Sequence, residues 1–343
     1  MRGSVILCYH HIVEAIPADP LDILNRFHVY VEARRFRQQM EILARRYSIV
    51  PLDEILTRLA DGTLRAGLAA VTLDDGYADN YSVAFPLLER LGVPATIFLA
   101  TGYIEHGLPF WWDRLSWHFC AKAGGVLSVP PLLGGRGMDL RTRDTMRQGH
   151  FELRERLRAL DGSARNHLLD ALGAGNGPPG SRPLAWHEVS TMRRRGVGFG
   201  AHSEWHSSLV ALSPQDLREE IGASRDHIAV HLGDEPTIFA YPYGNVDARV
   251  SGAVAAAGFL GSVTTRSAVC AAASDRFLLP RISVGNCSRT RFARILDTIE
   301  ESTHEHHAHI PAVAALKRVL PGPVWTAGRH VSRALRSIHH DGN

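Results

Sequence analysis

Val71-Thr72-Leu73-Asp74-Asp75-Gly76-Tyr77 is an apolar run of strand character that ends in two adjacent carboxylates and a glycine. Consecutive strand residues point to opposite faces, and this strand is ending, so the two acids need not share one environment. One can bind a metal ion while its neighbour stays free as a base. Two runs of the same kind flank it, residues 5–9 before and 95–99 after. Helical patterns fill the intervals. Phe36, Met40, Leu43 and Tyr47 recur at helical spacing among arginines, and Val83, Leu87, Leu88 and Leu91 mark one face of a helix that stops before Gly92.

The alternation resumes with a strand over 197–201. The next helix starts at Ser213-Pro214, a cap followed by proline at the first helical position. Strands over 237–240 and 262–265 enclose a helix over 248–257. A last strand over 278–284 precedes a helix lined by Phe292, Ile295, Leu296 and Ile299. Repeated strand–helix units imply a parallel sheet, and about seven of them imply a closed or nearly closed α/β barrel.

Between about 103 and 195 the rhythm breaks. The stretch 103–119 is aromatic-rich, with Trp111, Trp112 and Trp117; 124–137 is a glycine- and proline-rich loop, 151–172 a charged helical region and 173–180 another loop. This reads as an insertion on the barrel rather than a separate domain. The tail, 301–343, is rich in histidine (His304, His306, His307, His309) and then basic.

A hydrophobic fraction of 45% is ample for a large core, and 343 residues suit one barrel with insertions. The formal net charge of +3 is too balanced for a nucleic-acid binder. Cys8, Cys120, Cys270 and Cys287 lie far apart, without a C-x-x-C pair, so neither a zinc ribbon nor a redox motif is indicated. The N-terminal apolar run is too short for a signal-peptide core. No run of about 18 apolar residues predicts a spanning helix. The expected location is the cytoplasm.

In parallel α/β folds, active sites gather at the carboxyl ends of strands. Asp74 and Asp75 follow one strand, His202 a second and Tyr241-Pro242-Tyr243-Gly244 a third; Arg281 sits within a fourth and His10 ends the first. The spacing of His202 and His206 can bring two imidazoles to one side of a helical turn. Two histidines and one aspartate leave coordination positions open for water and substrate, as a catalytic metal requires. The tail histidines are a rival cluster, of the loosely binding kind.

Thr72-Leu73-Asp74-Asp75-Gly76-Tyr77 and His202-Ser203-x-x-His206 resemble the first two motifs of the polysaccharide deacetylases, the NodB-homology group of carbohydrate esterase family 4. Phe239-Ala240-Tyr241-Pro242-Tyr243-Gly244 is similar to the third. The likeness spans roughly residues 4 to 300. It implies a distorted (β/α)7-type barrel, here with a helical and loop insertion. It implies that Asp75, His202 and His206 hold a divalent metal, usually zinc, that Asp74 is the general base, and that Tyr243 lends its backbone N–H to an oxyanion hole. Ser203 would support the histidine loop by hydrogen bonding. Cobalt, nickel or manganese would suit the same ligands.

Two departures stand out. Ala240 and Tyr241 occupy the place of an arginine that orients the base in many members, and Arg281 is the candidate to supply that charge, since an uncompensated aspartate pair would be strained. The C-terminal L-x-H motif that supplies the acid is absent at Leu296-Asp297-Thr298. The start Leu7-Cys8-Tyr9-His10-His11 resembles the poly-N-acetylglucosamine deacetylases, in which a histidine of a Y-H pair serves as acid. That makes His10 the candidate, with His11 as alternate.

The expected activity is hydrolysis of N-acetyl groups on an amino-sugar polysaccharide or glycan precursor by metal-activated water. Amidase action on a small cyclic amide or imide, and a non-catalytic glycan-binding role, are the alternatives. The tryptophans of the insertion would stack on sugar rings or pack the insertion onto the barrel. The basic apolar tail is a candidate for peripheral contact with an anionic membrane face.

Overall fold

The first strand, β1 (Val5–Tyr9), is buried along its whole length, as a parallel strand covered on both faces must be. The computed structural model describes residues 3–16, 29–131, 134–178 and 181–305. A short parallel pair, β2 (His11–Val13) and β3 (Tyr30–Glu32), lies beyond β1. Helix α1 (Ala33–Arg46) buries Phe36, Met40 and Leu43, and carries Arg45 and Arg46 in its last turn, where cations suit the helix dipole. Next come β4 (Ser48–Ile49), α2 (Leu52–Ala60) and β5 (Leu68–Leu73). Strand β5 is wholly buried and runs parallel to β1, from Val5 opposite Ala69 to Tyr9 opposite Leu73. A π-helical turn at Asn80–Ala84 leads into α3 (Phe85–Leu91), which stops at Gly92 with φ of 62°, the usual left-handed cap. Strand β6 (Ala95–Leu99) returns beside β5.

The irregular region then builds α4 (Thr101–His106), α5 (Trp111–Ala121), β7 (Val126–Ser128), β8 (Gly137–Asp139), α6 (Arg143–Arg158) and α7 (Gly162–Ala171). It has its own apolar cluster around Phe110, Trp111, Leu115, Phe119, Leu153 and Leu157. The loop expected over 124–137 carries part of an antiparallel pair, β7 with β8. The charged helical region expected over 151–172 holds the end of α6 and all of α7, and Asp161 caps α7 by accepting from the Ala164 N–H at 2.9 Å.

The barrel resumes with α8 (Trp186–Arg194), β9 (Gly198–Ala201), α9 (Pro214–Leu232), β10 (Ile238–Ala240), α10 (Ala248–Ala256), β11 (Gly261–Val263), β12 (Ile282–Ser283) and α11 (Arg289–Glu305). Ser213 caps α9 as its sequence implies. Gly200 allows β9 to lie close to its neighbours: a Cβ there would stand 2.5 Å from the Phe98 ring and 2.7 Å from the Ile238 carbonyl. The sheet order is β11-β10-β9-β6-β5-β1-β12, all parallel, with β4 on the first half of β5. The strand expected over 278–284 is interrupted, because Pro280 has no N–H to give. Leu279 bridges to Val263 of β11 before it, and Ile282 and Ser283 pair with β1 after it. The chain thereby crosses from one end of the sheet to the other and closes a distorted (β/α) barrel.

Among the described residues, no helix is long and apolar enough to cross a membrane. The expected tail, 301–343, lies outside the described residues apart from the end of α11, and so do His306, His307 and His309 of the rival cluster and the proposed membrane contact.

Candidate active site

The acids, imidazoles and Arg281 from the strand ends meet in one buried cluster, and the backbone is strained there. Asp75 (φ 73°), Ser203 (φ 60°), His206 (φ 52°) and Tyr243 (φ 61°) are the non-glycine residues with left-handed φ among the described residues. Such torsions cost on the order of 1–3 kcal/mol each and persist only where the surroundings enforce them. They lie just beyond β5, β9 and β10. Gly76 continues the turn with φ of 80°.

These torsions correct one expectation. His202 and His206 do not share a helical turn; 202–208 is an irregular loop. The imidazoles still meet, with ring centroids 4.7 Å apart. Asp75 Oδ1 lies 3.6 Å from His202 Nε2 and 3.3 Å from His206 Nε2. All three side chains are buried. His202 Nδ1 donates to the Ala240 carbonyl at 2.7 Å, which leaves the Nε2 lone pair facing Asp75.

This trio fits a divalent cation. Asp75 Oδ1 and His206 Nδ1 are buried without a hydrogen-bond partner among the described residues, an expensive condition unless something else meets that oxygen. Ligands held at about 2.0–2.1 Å around a tetrahedral ion stand roughly 3.3 Å apart, close to the separations found. Without a cation, burial and then Asp74 push the Asp75 carboxyl up. Burial and then His202 push His206 well down, and burial lowers His202 as well. A dication reverses the preference of Asp75 and reinforces that of the two histidines, because it favours carboxylate and neutral imidazole together.

Asp74 is treated differently. Arg281, wholly buried, places Nη1 2.6 Å from Oδ1 and Nη2 2.6 Å from Oδ2. The guanidinium is itself oriented by Thr72 Oγ1 at 3.0 Å and by the Thr264 carbonyl at 3.0 Å. Burial alone would raise the Asp74 carboxyl, but Arg281, with His202 and His10 behind it, outweighs burial and holds the group well below the ordinary carboxylate range. The two neighbouring acids thus have opposite electrostatics, as their divergence at a strand end allows.

The two N-terminal histidines separate cleanly. A ring nitrogen of His10 groups with Cys8 Sγ and an Asp74 oxygen, all within 4.8 Å. His11 turns away: its Nδ1 is 2.5 Å from Asp79 Oδ2, and its ring lies between Tyr30 and Tyr77. Asn80 Nδ2 donates to the His10 carbonyl at 2.9 Å, which fixes the turn. Burial brings His10 down to about 4.

The tryptophans differ as well. Trp112 packs over His206 at 4.7 Å and donates to the Tyr77 hydroxyl at 2.6 Å. Trp111 is core of the insertion, and Trp117 is exposed. Asp113 is buried and accepts from Ser181 Oγ. The Tyr243 ring meets His206 edge-on at 4.5 Å, and its hydroxyl donates to the His206 carbonyl at 3.1 Å.

Ser203 Oγ is buried beside Glu220, whose carboxyl burial raises and this hydroxyl helps to lower, and most of the work of holding the histidine loop is done by other groups. That work falls to Glu220 and Arg165, which the sequence reading did not single out. A signal for Glu220 was present: it shares the buried face of α9 with Leu217, Ile221 and Ser224, and a lone acid on an apolar stripe demands a buried partner.

The model of a family described as polysaccharide deacetylase matches residues 61–261. The Bacillus subtilis (strain 168) protein named "Putative polysaccharide deacetylase YxkH" is 20% identical over 237 residues, 69% of this chain and 58% of that protein. The match therefore spans little more than half of that relative's length. Among solved structures, the Streptococcus pyogenes deacetylase PplD in complex with acetate superposes with a TM-score of 0.58 at 20% identity, covering 86% of this chain and 98% of that one. IcaB from Ammonifex degensii gives a TM-score of 0.56 at 19% identity, covering 88% and 98%.

Proposed function

The chain belongs to the polysaccharide deacetylase family, and from that premise we propose that it is a metal-dependent carbon–nitrogen hydrolase that removes N-acetyl groups from an amino-sugar glycan or glycan precursor. The observation that carries this reading is the divided aspartate pair. Asp75 stands with two imidazoles and an unpartnered oxygen, while Asp74 is kept ionised by Arg281.

Asp75, His202 and His206 are the proposed ligands, and zinc is the proposed metal. Bound there, it would supply Lewis acidity and a more acidic water. Asp74 accepts the proton of the attacking water, a task its enforced carboxylate form suits. The Tyr243 N–H, presented on a left-handed turn, donates to the oxygen that gains charge. His10 returns a proton to the departing amine. Burial keeps its imidazole neutral at rest, so it must first take up a proton, and Asp74 is within 4.8 Å to pass one on. Trp112 is the insertion's candidate for stacking on the sugar.

Residues 1–300, with the insertion at about 103–195, are proposed as one deacetylase unit. Trp205, in the histidine loop, supports this because it packs against Gly162 of the insertion and Gly102 just before it. A merely glycan-binding role would not need a buried carboxylate with its own arginine.

Acetate release from N-acetylglucosamine oligomers tests the proposal. The zinc-loaded protein is expected to release acetate. Asp74→Asn is expected to lose about 10²–10⁴-fold in kcat while still binding zinc. No acetate from any acetylated amino-sugar oligomer, or full activity in Asp74→Asn, refutes it.

A further inference from the structure

The loop 202–208 carries both imidazoles yet has no helix or strand of its own. Two left-handed residues, Ser203 and His206, would relax if nothing restrained them. The restraint comes from both sides. Arg165 of α7, wholly buried, donates from Nη1 to the Trp205 carbonyl at 2.8 Å and from Nη2 to Ser207 Oγ at 2.8 Å. Glu220 of α9 accepts from the Trp205 N–H at 2.9 Å and from Ser207 Oγ at 2.5 Å. Its main-chain carbonyl accepts from the Glu204 N–H at 3.1 Å. Both neighbours of His206 are therefore held twice, once by the insertion and once by the barrel.

The remaining donors of Arg165 reach the Leu157 carbonyl at 3.1 Å and the Leu160 carbonyl at 2.8 Å, at the end of α6. A guanidinium whose donors are spent on fixed carbonyls is a rigid link between that helix end and the loop. Packing adds a second constraint. A Cβ at Gly162 would stand 2.2 Å from Trp205 Cγ, and one at Gly102 would stand 2.8 Å from the indole. The indole fills the space that those two glycines leave.

We infer that Arg165 is a positioning residue for the metal site, and that the insertion, through Arg165 and the Trp205 seat, sets the orientation of His206. This rests on the reading of His206 as a ligand. The buried charge of Arg165 has a reason in this arrangement: Glu220, the opposite charge, joins it through Ser207 Oγ, and a buried ion survives only when so compensated. The general consequence is that a group orienting a ligand tunes metal affinity nearly as strongly as the ligand does.

The test is zinc affinity, measured by competition with a chromogenic chelator on folded protein. Wild type and His206→Ala establish the ligand reading first: if wild type binds no zinc, or His206→Ala binds it as tightly, that reading falls and takes the inference with it. Given that contrast, Arg165→Gln and Gly162→Ala are expected to weaken zinc about 10–100-fold, with Arg165→Lys between them and wild type. At saturating zinc, Gly162→Ala is expected to recover most of its kcat. Arg114→Gln removes insertion contacts to Asp170, Ala174 and Gly175 that do not touch the loop, and zinc affinity is expected to stay within twofold. Gly162→Ala changes no charge, so it carries the test should Arg165→Gln fail to fold. Wild-type affinity in a folded Gly162→Ala or Arg165→Gln, or an equal loss in Arg114→Gln, overturns the inference.

Discussion

Arg281 and Asp74 form a two-bonded fork, Nη1 to Oδ1 and Nη2 to Oδ2 at 2.6 Å each, with both side chains out of water. They are 207 residues apart in sequence. Removing one partner of a buried pair leaves the other charged and alone, at a cost of about 3–5 kcal/mol. Arg281→Met is therefore expected to lower the thermal midpoint sharply. Arg281→Lys keeps the charge but cannot reproduce the planar fork. It is expected to fold, to bind zinc normally and to lose roughly 10–100-fold in kcat, on the scale of a misdirected base. Thermal melts and acetate-release kinetics on the two variants check this; wild-type kcat in Arg281→Lys would remove the fork from the mechanism.

Metal removal is expected to cost stability as well as activity. Asp75 buries an unpartnered oxygen facing both imidazoles, and the unfolded chain has no equivalent site. Binding to the native state alone adds RT ln(1 + [L]/Kd), about 2.7 kcal/mol at a hundred times Kd. Chelator-stripped protein should therefore melt below the zinc-loaded form, and His206→Ala should show no shift between the two. Equal midpoints for stripped and loaded wild type would count against a folded-state metal site.

Much of this was readable along the chain because it is local. The strands β1, β5 and β6 announce themselves by continuous apolar runs, and Asp74, Asp75, His202 and His206 by short motifs at their ends. What the sequence concealed depends on backbone torsions and on distant partners. The i, i+4 spacing of the histidines suggested a helix, but left-handed φ at Ser203 and His206 brings the rings together instead. Pro280 divides a strand that periodicity joins. The choice between His10 and His11 turns on Asp79, which lies beyond the next strand of the barrel. Arg165 sits in a helix whose own pattern says only that it is charged, and its role appears once Trp205 and Ser207 are beside it.

Glu188 gives a pH signature away from the metal. Its carboxylate accepts from the Ala185 N–H at 2.9 Å at the start of α8 and is forked by Arg182 at 2.9 and 2.7 Å. Burial pushes the group up, but these bonds win and hold it below its ordinary value. A depressed carboxyl stabilises the native state above its unfolded pKa, about 4.3, and loses that contribution as pH falls through the folded value. Glu188→Gln is thus expected to be less stable by about 1 kcal/mol at neutral pH, because Arg182 is half in solvent. The gap should close below about pH 4. Urea titrations of both proteins across pH 3–8 test the sign; a gap that widens toward acid refutes it.

His10 and His11 should fail in different ways. His11 is buried, stacked on Tyr30, packed against Tyr77 and paired with Asp79. Replacing it breaks packing and takes the His11 contact from Asp79 Oδ2, leaving the bonds from the Ile12 N–H and Asn80 to Oδ1, so His11→Ala is expected to lose about 2–4 kcal/mol of stability. Its kcat should stay within a few-fold at a temperature where it is folded. His10 borders Cys8 and Asp74 at the mouth. His10→Ala is expected to change stability little and to lower kcat by about 10²–10³, the span of one general acid. The loss should shrink for substrates with a better leaving amine, because such amines need less protonation. A leaving-group-independent loss in His10→Ala, or a larger kcat loss in His11→Ala, would move the acid away from His10.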